Sequence, residues 1–303
     1  MAEHRVAPFT DPDRGGKPLP ITLKPGDPSA RPRHPREGAF LHPRFLQRRH
    51  RPHVLTFARF VQLAHGLADD QLLEPEAKLH HVDALETSLV EGRAKRPYLK
   101  VGLELREALV GLGIGDRHAR QVLQAVRKDA VGQVCRSWSD LLLYCRYAAA
   151  PGGRFVLDLH GENTSATAPA ADALCAAVHI LGTVRDCRSD WTDLGRCYIP
   201  VQWFDEAGVS VERLVERSSD ATVRAVFDRM LRQVDGLLDR SAPLPALLKD
   251  RGLRAEARVQ LLEAQALRRR LGRADPLARR VHLSAGQRLV VHAKGWLATF
   301  ARA

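Results

Sequence analysis

Helical periodicity runs almost without interruption from Val54 to the end of the chain, and it constrains the fold more than any other feature. Apolar residues first recur at three- and four-residue spacing, on one helix face, at Val54, Phe57, Val61, Ala64 and Ala68. Similar patterns predict helices over 75–91, 100–111, 116–131, 137–149, 168–190, 210–240, 243–273 and 284–300. Because alternating runs of Val, Ile and Thr are absent, the predicted fold class is all-α.

The chain is predicted to form one folded domain behind a tail. Residues 1–35 are rich in Pro, Arg and Gly without periodicity, which predicts a disordered basic tail, and residues 36–303 would form one helical domain. The cationic excess of the tail suits peripheral contact with anionic lipid headgroups. No run of about 18 apolar residues and no apolar signal core are found, so we expect a cytoplasmic protein without a membrane span.

The net charge of +12 is compatible with nucleic acid, an anionic membrane or a phosphorylated substrate as a partner. Nucleic acid is not expected, because only 6% of residues are aromatic and the arginines form no stripe with interleaved aromatics. The five cysteines form no CxxC pair and are odd in number, so neither a zinc site nor a disulfide framework is predicted. Reduced thiols fit the cytosol.

Two pairs of aspartates are candidate metal ligands. Asp186 and Asp190 are four residues apart at the end of an apolar segment, so both lie on one helix face and repel each other unless a cation intervenes. Oxygen ligands of this kind favour Mg²⁺, which takes further ligands from substrate phosphates. The alternative is a solvated helix face. Asp69 and Asp70 form a second acidic pair, which alone is equally typical of a helix terminus.

Small residues fill much of the stretch from Tyr144 to Gly153, where Pro151 is expected to kink the helix. Such residues let two backbones approach closely, or they leave room for a ligand. Tight helix packing and one wall of an apolar cavity are therefore both open interpretations.

Three motifs follow one another in an order found in a known family. Residues 144–153 resemble its Y-C-x-x-x-A-x-x-x-G motif, 185–190 its second aspartate-rich motif, and 195–200 its G-R-x-Y-(L/I)-P motif. The chain thus resembles the squalene/phytoene synthases. The stretches 51–55 and 275–278 are similar to the hydroxysqualene synthase branch in particular.

The resemblance implies a class I isoprenoid synthase fold, a helical bundle around a central cavity. It further implies conversion of presqualene diphosphate to hydroxysqualene, a prenyl diphosphate as substrate, and other enzymes of hopanoid synthesis as partners. The implied Mg²⁺ ligands are Asp69, Asp70, Asp186 and Asp190. The implied catalytic residue is Tyr144, and the implied substrate-binding residues are Arg185, Arg59, Ala148 and Gly153.

The chain departs from the family pattern at the first aspartate-rich motif. His65 stands where the first metal-binding aspartate belongs, Gln62 where an arginine is usual, and Gly182 where an asparagine precedes the second motif. An imidazole is a poor ligand for Mg²⁺. Two alternatives therefore stay open: condensation of two prenyl diphosphates, as in presqualene diphosphate or phytoene synthases, and a non-catalytic homologue that binds a lipid or a partner synthase.

Overall fold

The computed structural model describes residues 45–132 and 134–297, and all regular structure in this part of the chain is helical, which confirms the all-α fold class. The helices are α1 (Arg51–Asp69), α2 (Pro75–Glu91), α3 (Lys100–Leu112), α4 (Arg117–Ala130), α5 (Trp138–Ala148), α6 (Ala150–Leu159), α7 (Thr167–Leu194), α8 (Val201–Glu206), α9 (Ala221–Ser241), α10 (Leu244–Leu247), α11 (Arg251–Leu271) and α12 (Ala285–Leu297). The predicted tail lies outside the described residues, so the domain division stays a prediction.

Helix α7 is the centre of the bundle. It is 28 residues long and is buried along most of its length between α6, α9 and α11. Nearly every residue from Ala170 to Val184 is apolar, so helix formation there buries side chains on all sides. By length and composition α7 could cross a membrane, but 72% of its most apolar window is buried inside the protein, as in a core helix.

The predicted kink near Pro151 is confirmed. Helix α5 ends at Ala148, and α6 begins at Ala150 with the proline in its first turn, where a missing backbone N–H costs no hydrogen bond. Gly153 is buried where α6 meets α7, and its backbone lies within hydrogen-bonding reach of the Cys175 thiol. Close packing of two backbones therefore accounts for at least part of this small-residue stretch.

The structure divides two helices that the periodicity predicts as continuous. The predicted helix 210–240 begins only at Ala221, because the Asp220 carboxylate accepts the N–H groups of Thr222 and Val223 as an N-cap. The predicted helix 243–273 is likewise interrupted where the Asp250 carboxylate accepts the N–H of Leu253. In both places a side-chain cap sets the start of the helix, and a period followed over the whole segment does not register it.

Helices α2 and α3 pack closely at Gly102, which gives the first prediction. A methyl group there would overlap the buried Ser88 hydroxyl and lie 3.2 Å from the Leu89 backbone nitrogen. Gly102→Ala should therefore lower the free energy of unfolding by about 1–3 kcal/mol, as overpacking does. Gly111→Ala on the same helix meets nothing within 4 Å and should raise it by up to about 1 kcal/mol. Urea unfolding measures the free energy of unfolding of both variants. Equal changes in the two variants would contradict the close packing at Gly102.

Candidate active site

Two guanidinium groups enclose the carboxylate of Asp186. Arg185 donates from Nη2 to Oδ2 at 2.7 Å, and Arg280 donates from Nε to Oδ1 at 2.7 Å and from Nη2 to Oδ2 at 3.2 Å. The carboxylate is buried, whereas the Arg280 side chain is 37% exposed. We call these three residues the arginine clamp. Bidentate pairing of this kind is strong and fixes geometry as well as charge.

The segment between α11 and α12 delivers Arg280 to α7. Leu277 and Val281 are buried on either side of it, and Arg188 of α7 donates to the Leu277 carbonyl at 3.3 Å. The Asp275 carboxylate accepts the Leu277 N–H at 3.0 Å and the Ser219 N–H at 2.7 Å. These contacts hold the segment against the bundle, so Arg280 reaches a carboxylate far away in the sequence.

The clamp controls the ionisation of Asp186. Burial alone would raise the pKa of this carboxyl, but the hydrogen bonds from Arg185 and Arg280 outweigh burial and hold the pKa below its usual value. Because the pKa is depressed in the folded protein, the clamp stabilises the fold above the ordinary carboxyl pKa of about 3.9. That contribution is lost as pH falls through the lower folded value.

Arg196 joins the ends of α1 and α7. Its guanidinium pairs with the Asp69 carboxylate and donates to the Ala68 carbonyl at 2.7 Å, while its backbone N–H donates to the Asp190 carbonyl at 3.0 Å. The Arg196 side chain is only 2% exposed. Gln71 adds a second link by donating to the Asp193 carbonyl. The structure thus brings Asp69 to the same end of the bundle as Asp190.

Asp70 and Lys78 lie beside this junction. The Asp70 carboxylate accepts the N–H of Leu72 at 2.9 Å and so begins the turn after α1. Lys78 of α2 is half-buried, and burial together with the neighbouring Arg196 lowers its pKa, against the opposing effect of the nearby aspartates. A cationic side chain therefore stands next to the acidic end of α1.

A buried carboxylate holds two tyrosines together nearby. Asp129 of α4 accepts the hydroxyl of Tyr144 at 2.8 Å and the hydroxyl of Tyr198 at 2.7 Å. The two rings are 5.1 Å apart, and the ring of His179 lies 5.5 Å from Tyr144. We call these four residues the tyrosine cluster. The Nδ1 atom of His65 is 3.6 Å from the Asp129 carboxylate, which is beyond hydrogen-bond range, so this buried imidazole faces the cluster.

The remaining predicted residues lie in other surroundings. Arg59 has an exposed side chain that pairs with Glu104 of α3 at 3.0 Å, and the rise of α1 places it about 15 Å before Asp69 along the helix. Ala148 is half-buried at the end of α5, and Gly153 is buried in α6. The structure does not join Arg59 to the clamp or to the junction at Arg196.

Sequence comparison places this architecture in a family. A model of the family described as squalene/phytoene synthase matches residues 33–287, most of the chain. The chain belongs to this family. It is 38% identical to a hydroxysqualene synthase of Sinorhizobium fredii, over 82% of this chain and 84% of the relative. It is 39% identical to a hydroxysqualene synthase of Rhodopseudomonas palustris, over 78% of this chain and 79% of the relative.

Solved structures of relatives share the fold. The squalene synthase HpnC from Alicyclobacillus acidocaldarius matches with a TM-score of 0.64 and 25% identity, over 76% of this chain and 86% of the other. A ligand complex of a dehydrosqualene synthase matches with a TM-score of 0.59 and 18% identity, over 81% of this chain and 90% of the other, and supports the fold alone. The family fold implied by the motifs is therefore confirmed.

Synthases of this family are typically metal-dependent, but the residues of this chain do not complete a metal site. Within residues 45–132 and 134–297, no three His, Cys, Asp or Glu side chains gather as metal ligands would. Asp186 is enclosed by two guanidiniums, Asp69 is paired with Arg196, and His65 faces Asp129. The surroundings of Asp69 and Asp186, each paired with a guanidinium, do not fit a metal ion in this structure.

Several residues at this end of the bundle were absent from the predicted site. Arg196 and Tyr198 lie in the G-R-x-Y-I-P motif, and Arg280 closely follows the stretch 275–278, so motif position was an available signal. A different signal was available for Asp129. It lies on the buried face of α4, where its neighbours Val122, Ala125 and Val126 are apolar. A charge on an apolar stripe indicates a buried polar partner.

The junction at Arg196 gives the second prediction. Arg196→Met should lower the free energy of unfolding by about 3 kcal/mol or more, because it strands the Asp69 carboxylate and the Ala68 carbonyl at a buried site. Arg213→Met serves as the control, since its partners Glu216 and Asp220 are on the surface and such pairs contribute under about 1 kcal/mol. Denaturant unfolding compares the two; similar losses would contradict the role assigned to Arg196.

Proposed function

We propose that this protein converts presqualene diphosphate to hydroxysqualene with release of diphosphate. The observation that carries the proposal is the similarity to hydroxysqualene synthases of two organisms at 38% and 39% identity, over about four fifths of the chain. The family match over residues 33–287 includes the arginine clamp and the tyrosine cluster. The substrate class, a prenyl diphosphate, follows from the family.

The cationic side chains at the ends of α1 and α7 suit the diphosphate of this substrate. The guanidinium of Arg280 is partly exposed and lies outside the buried Asp186 carboxylate, and Lys78 stands beside Arg196. Guanidinium and ammonium groups bind phosphate oxygens through charge-assisted hydrogen bonds. In this proposal they stabilise the charge that develops as the diphosphate leaves.

The tyrosine cluster suits the cation that remains. When the bond between carbon and the diphosphate oxygen breaks, its electron pair leaves with the diphosphate, and the hydrocarbon carries the positive charge through its rearrangement. The π faces of Tyr144, Tyr198 and His179 attract such a charge. Asp129 holds both hydroxyl groups and thereby fixes the ring positions. Water then adds to the cationic carbon and loses one proton to the departing diphosphate.

A second candidate function is a non-catalytic homologue that binds a prenyl lipid or a partner synthase. It is favoured by His65, which stands where the family pattern has a metal-binding aspartate, and by Gly182, which stands where an asparagine is usual. Condensation of two prenyl diphosphates is less well supported, because it would require a second diphosphate to be held at the same depleted site.

The location and partners of the protein belong to the same proposal. We place it in the cytoplasm, in peripheral contact with an anionic inner membrane face and near other enzymes of hopanoid synthesis. Exposed Leu289, Val290 and Leu297 on α12 would suit such a surface, because the substrate and the product are both largely hydrocarbon.

Incubation of the purified protein with presqualene diphosphate, followed by mass spectrometry of the products, tests this function. Wild type should yield hydroxysqualene. Tyr144→Leu should lower kcat about 30-fold or more, because it removes a π face worth about 2 kcal/mol to a desolvated cation. Tyr98→Leu is the control, since its hydroxyl contacts His81 outside the tyrosine cluster. Binding of the substrate without any product would instead support the non-catalytic homologue.

A further inference from the structure

We propose that this chain has a metal-independent diphosphate site, in which Arg185 and Arg280 take the place of bound cations. The inference rests on the proposed function, because the anion is taken to be the diphosphate of a prenyl substrate. It differs from the metal dependence typical of the family and follows from three features of this chain.

The first feature is that Arg185 and Arg280 together occupy both carboxylate oxygens of Asp186. Its Oδ1 atom accepts from Arg185 Nε at 3.1 Å and from Arg280 Nε at 2.7 Å, while Oδ2 accepts from Arg185 Nη2 and Arg280 Nη2. A carboxylate offers about four acceptor positions, so these donors fill them. A metal ion could bind only after two charge-assisted pairs had been broken.

The second feature is the order in which a ligand meets these groups. The Arg280 side chain is 37% exposed and the Asp186 side chain 7%, so an anion arriving from solvent meets the guanidinium before the carboxylate. At the end of α1, Asp69 is committed to Arg196, whose guanidinium is buried and would be left without that carboxylate if a cation took it. The Asp186 and Asp69 carboxylates are therefore already paired with cationic side chains of the protein.

The third feature is the pair of departures from the family pattern. His65 faces Asp129 of the tyrosine cluster, so no second carboxylate stands one turn before Asp69. Gly182 stands one turn before Asp186, and a Cβ atom built there would meet only the Nη2 atom of Arg185, at 4.0 Å. The space beside Gly182 thus borders a guanidinium, and each of the two helices lacks one polar residue of the family pattern.

Calorimetric titration of the full chain with inorganic diphosphate tests the proposal directly. The dissociation constant in EDTA should equal that in millimolar Mg²⁺ within about threefold. Arg280→Gln should weaken binding at least tenfold in both buffers, as loss of a charge-assisted bidentate donor does. Arg279→Gln, an exposed neighbour, is the control and should bind like wild type. Binding that requires Mg²⁺, or that survives Arg280→Gln, would overturn the proposal, as would the absence of binding in both buffers.

A gain-of-function variant tests the same proposal from the other side. The double variant His65→Asp, Gly182→Asn restores the family residues at both positions, and a Cβ atom at position 182 has space. Its diphosphate binding should become at least tenfold tighter with Mg²⁺ than in EDTA, and it should bind Mn²⁺ by electron paramagnetic resonance where wild type does not. Wild type that binds Mn²⁺ as tightly as the variant would contradict the proposal; if the variant fails to fold, the Arg280→Gln titration decides.

Failure of this inference is distinguishable from failure of the proposed function. If wild type forms hydroxysqualene and binds diphosphate only with Mg²⁺, metal independence is refuted and the proposed synthase activity is supported. If wild type binds diphosphate in EDTA but does not turn over presqualene diphosphate, the metal-independent site is supported and the synthase activity is refuted.

Discussion

The buried guanidinium of Arg196 is the interaction on which this end of the bundle depends. Burying a charged group that is only 2% exposed is costly, and the Asp69 carboxylate and the Ala68 carbonyl offset that cost by pairing with the two terminal nitrogens of Arg196. Its backbone is bound in turn to Asp190 at the end of α7. One residue therefore sets the distance between two acidic helix ends that are separated by more than a hundred residues of sequence.

The chemistry proposed for the protein follows from what surrounds that junction. The arginine clamp covers Asp186 with positive charge, and the tyrosine cluster presents three aromatic rings held through Asp129. His65 lies one turn before Asp69 and faces Asp129. The imidazole at this position, where the family pattern has an aspartate, is thus a neighbour of the tyrosine cluster.

Much of the fold could be predicted from the sequence, because most of it depends on local patterns. The apolar period located α1, α2 and α7, and the proline rule located the break between α5 and α6. The extra helix starts after Asp220 and Asp250 depend on single side-chain caps, which the apolar period does not register. The short helix α8 is only six residues long, too short for periodicity to reveal.

The candidate site was less predictable, because its decisive contacts join distant parts of the chain. The spacing of Asp186 and Asp190 correctly placed both on one helix, and the motif order led to the family. No local pattern could show that Arg280 would pair with Asp186, because 94 residues separate them. The same holds for Asp129 and Tyr198, which are 69 residues apart. Motif positions alone could not show the arginines that pair with Asp186 and Asp69.

The most direct measurement is a crystal structure of the protein with a non-cleavable prenyl thiodiphosphate and Mn²⁺, with anomalous data collected at the manganese edge. The account predicts diphosphate oxygens within hydrogen-bond distance of Arg280, with the clamp intact and no anomalous peak beside Asp186 or Asp69. An anomalous peak that bridges Asp186 and the diphosphate, with Arg185 and Arg280 displaced from the carboxylate, would contradict it.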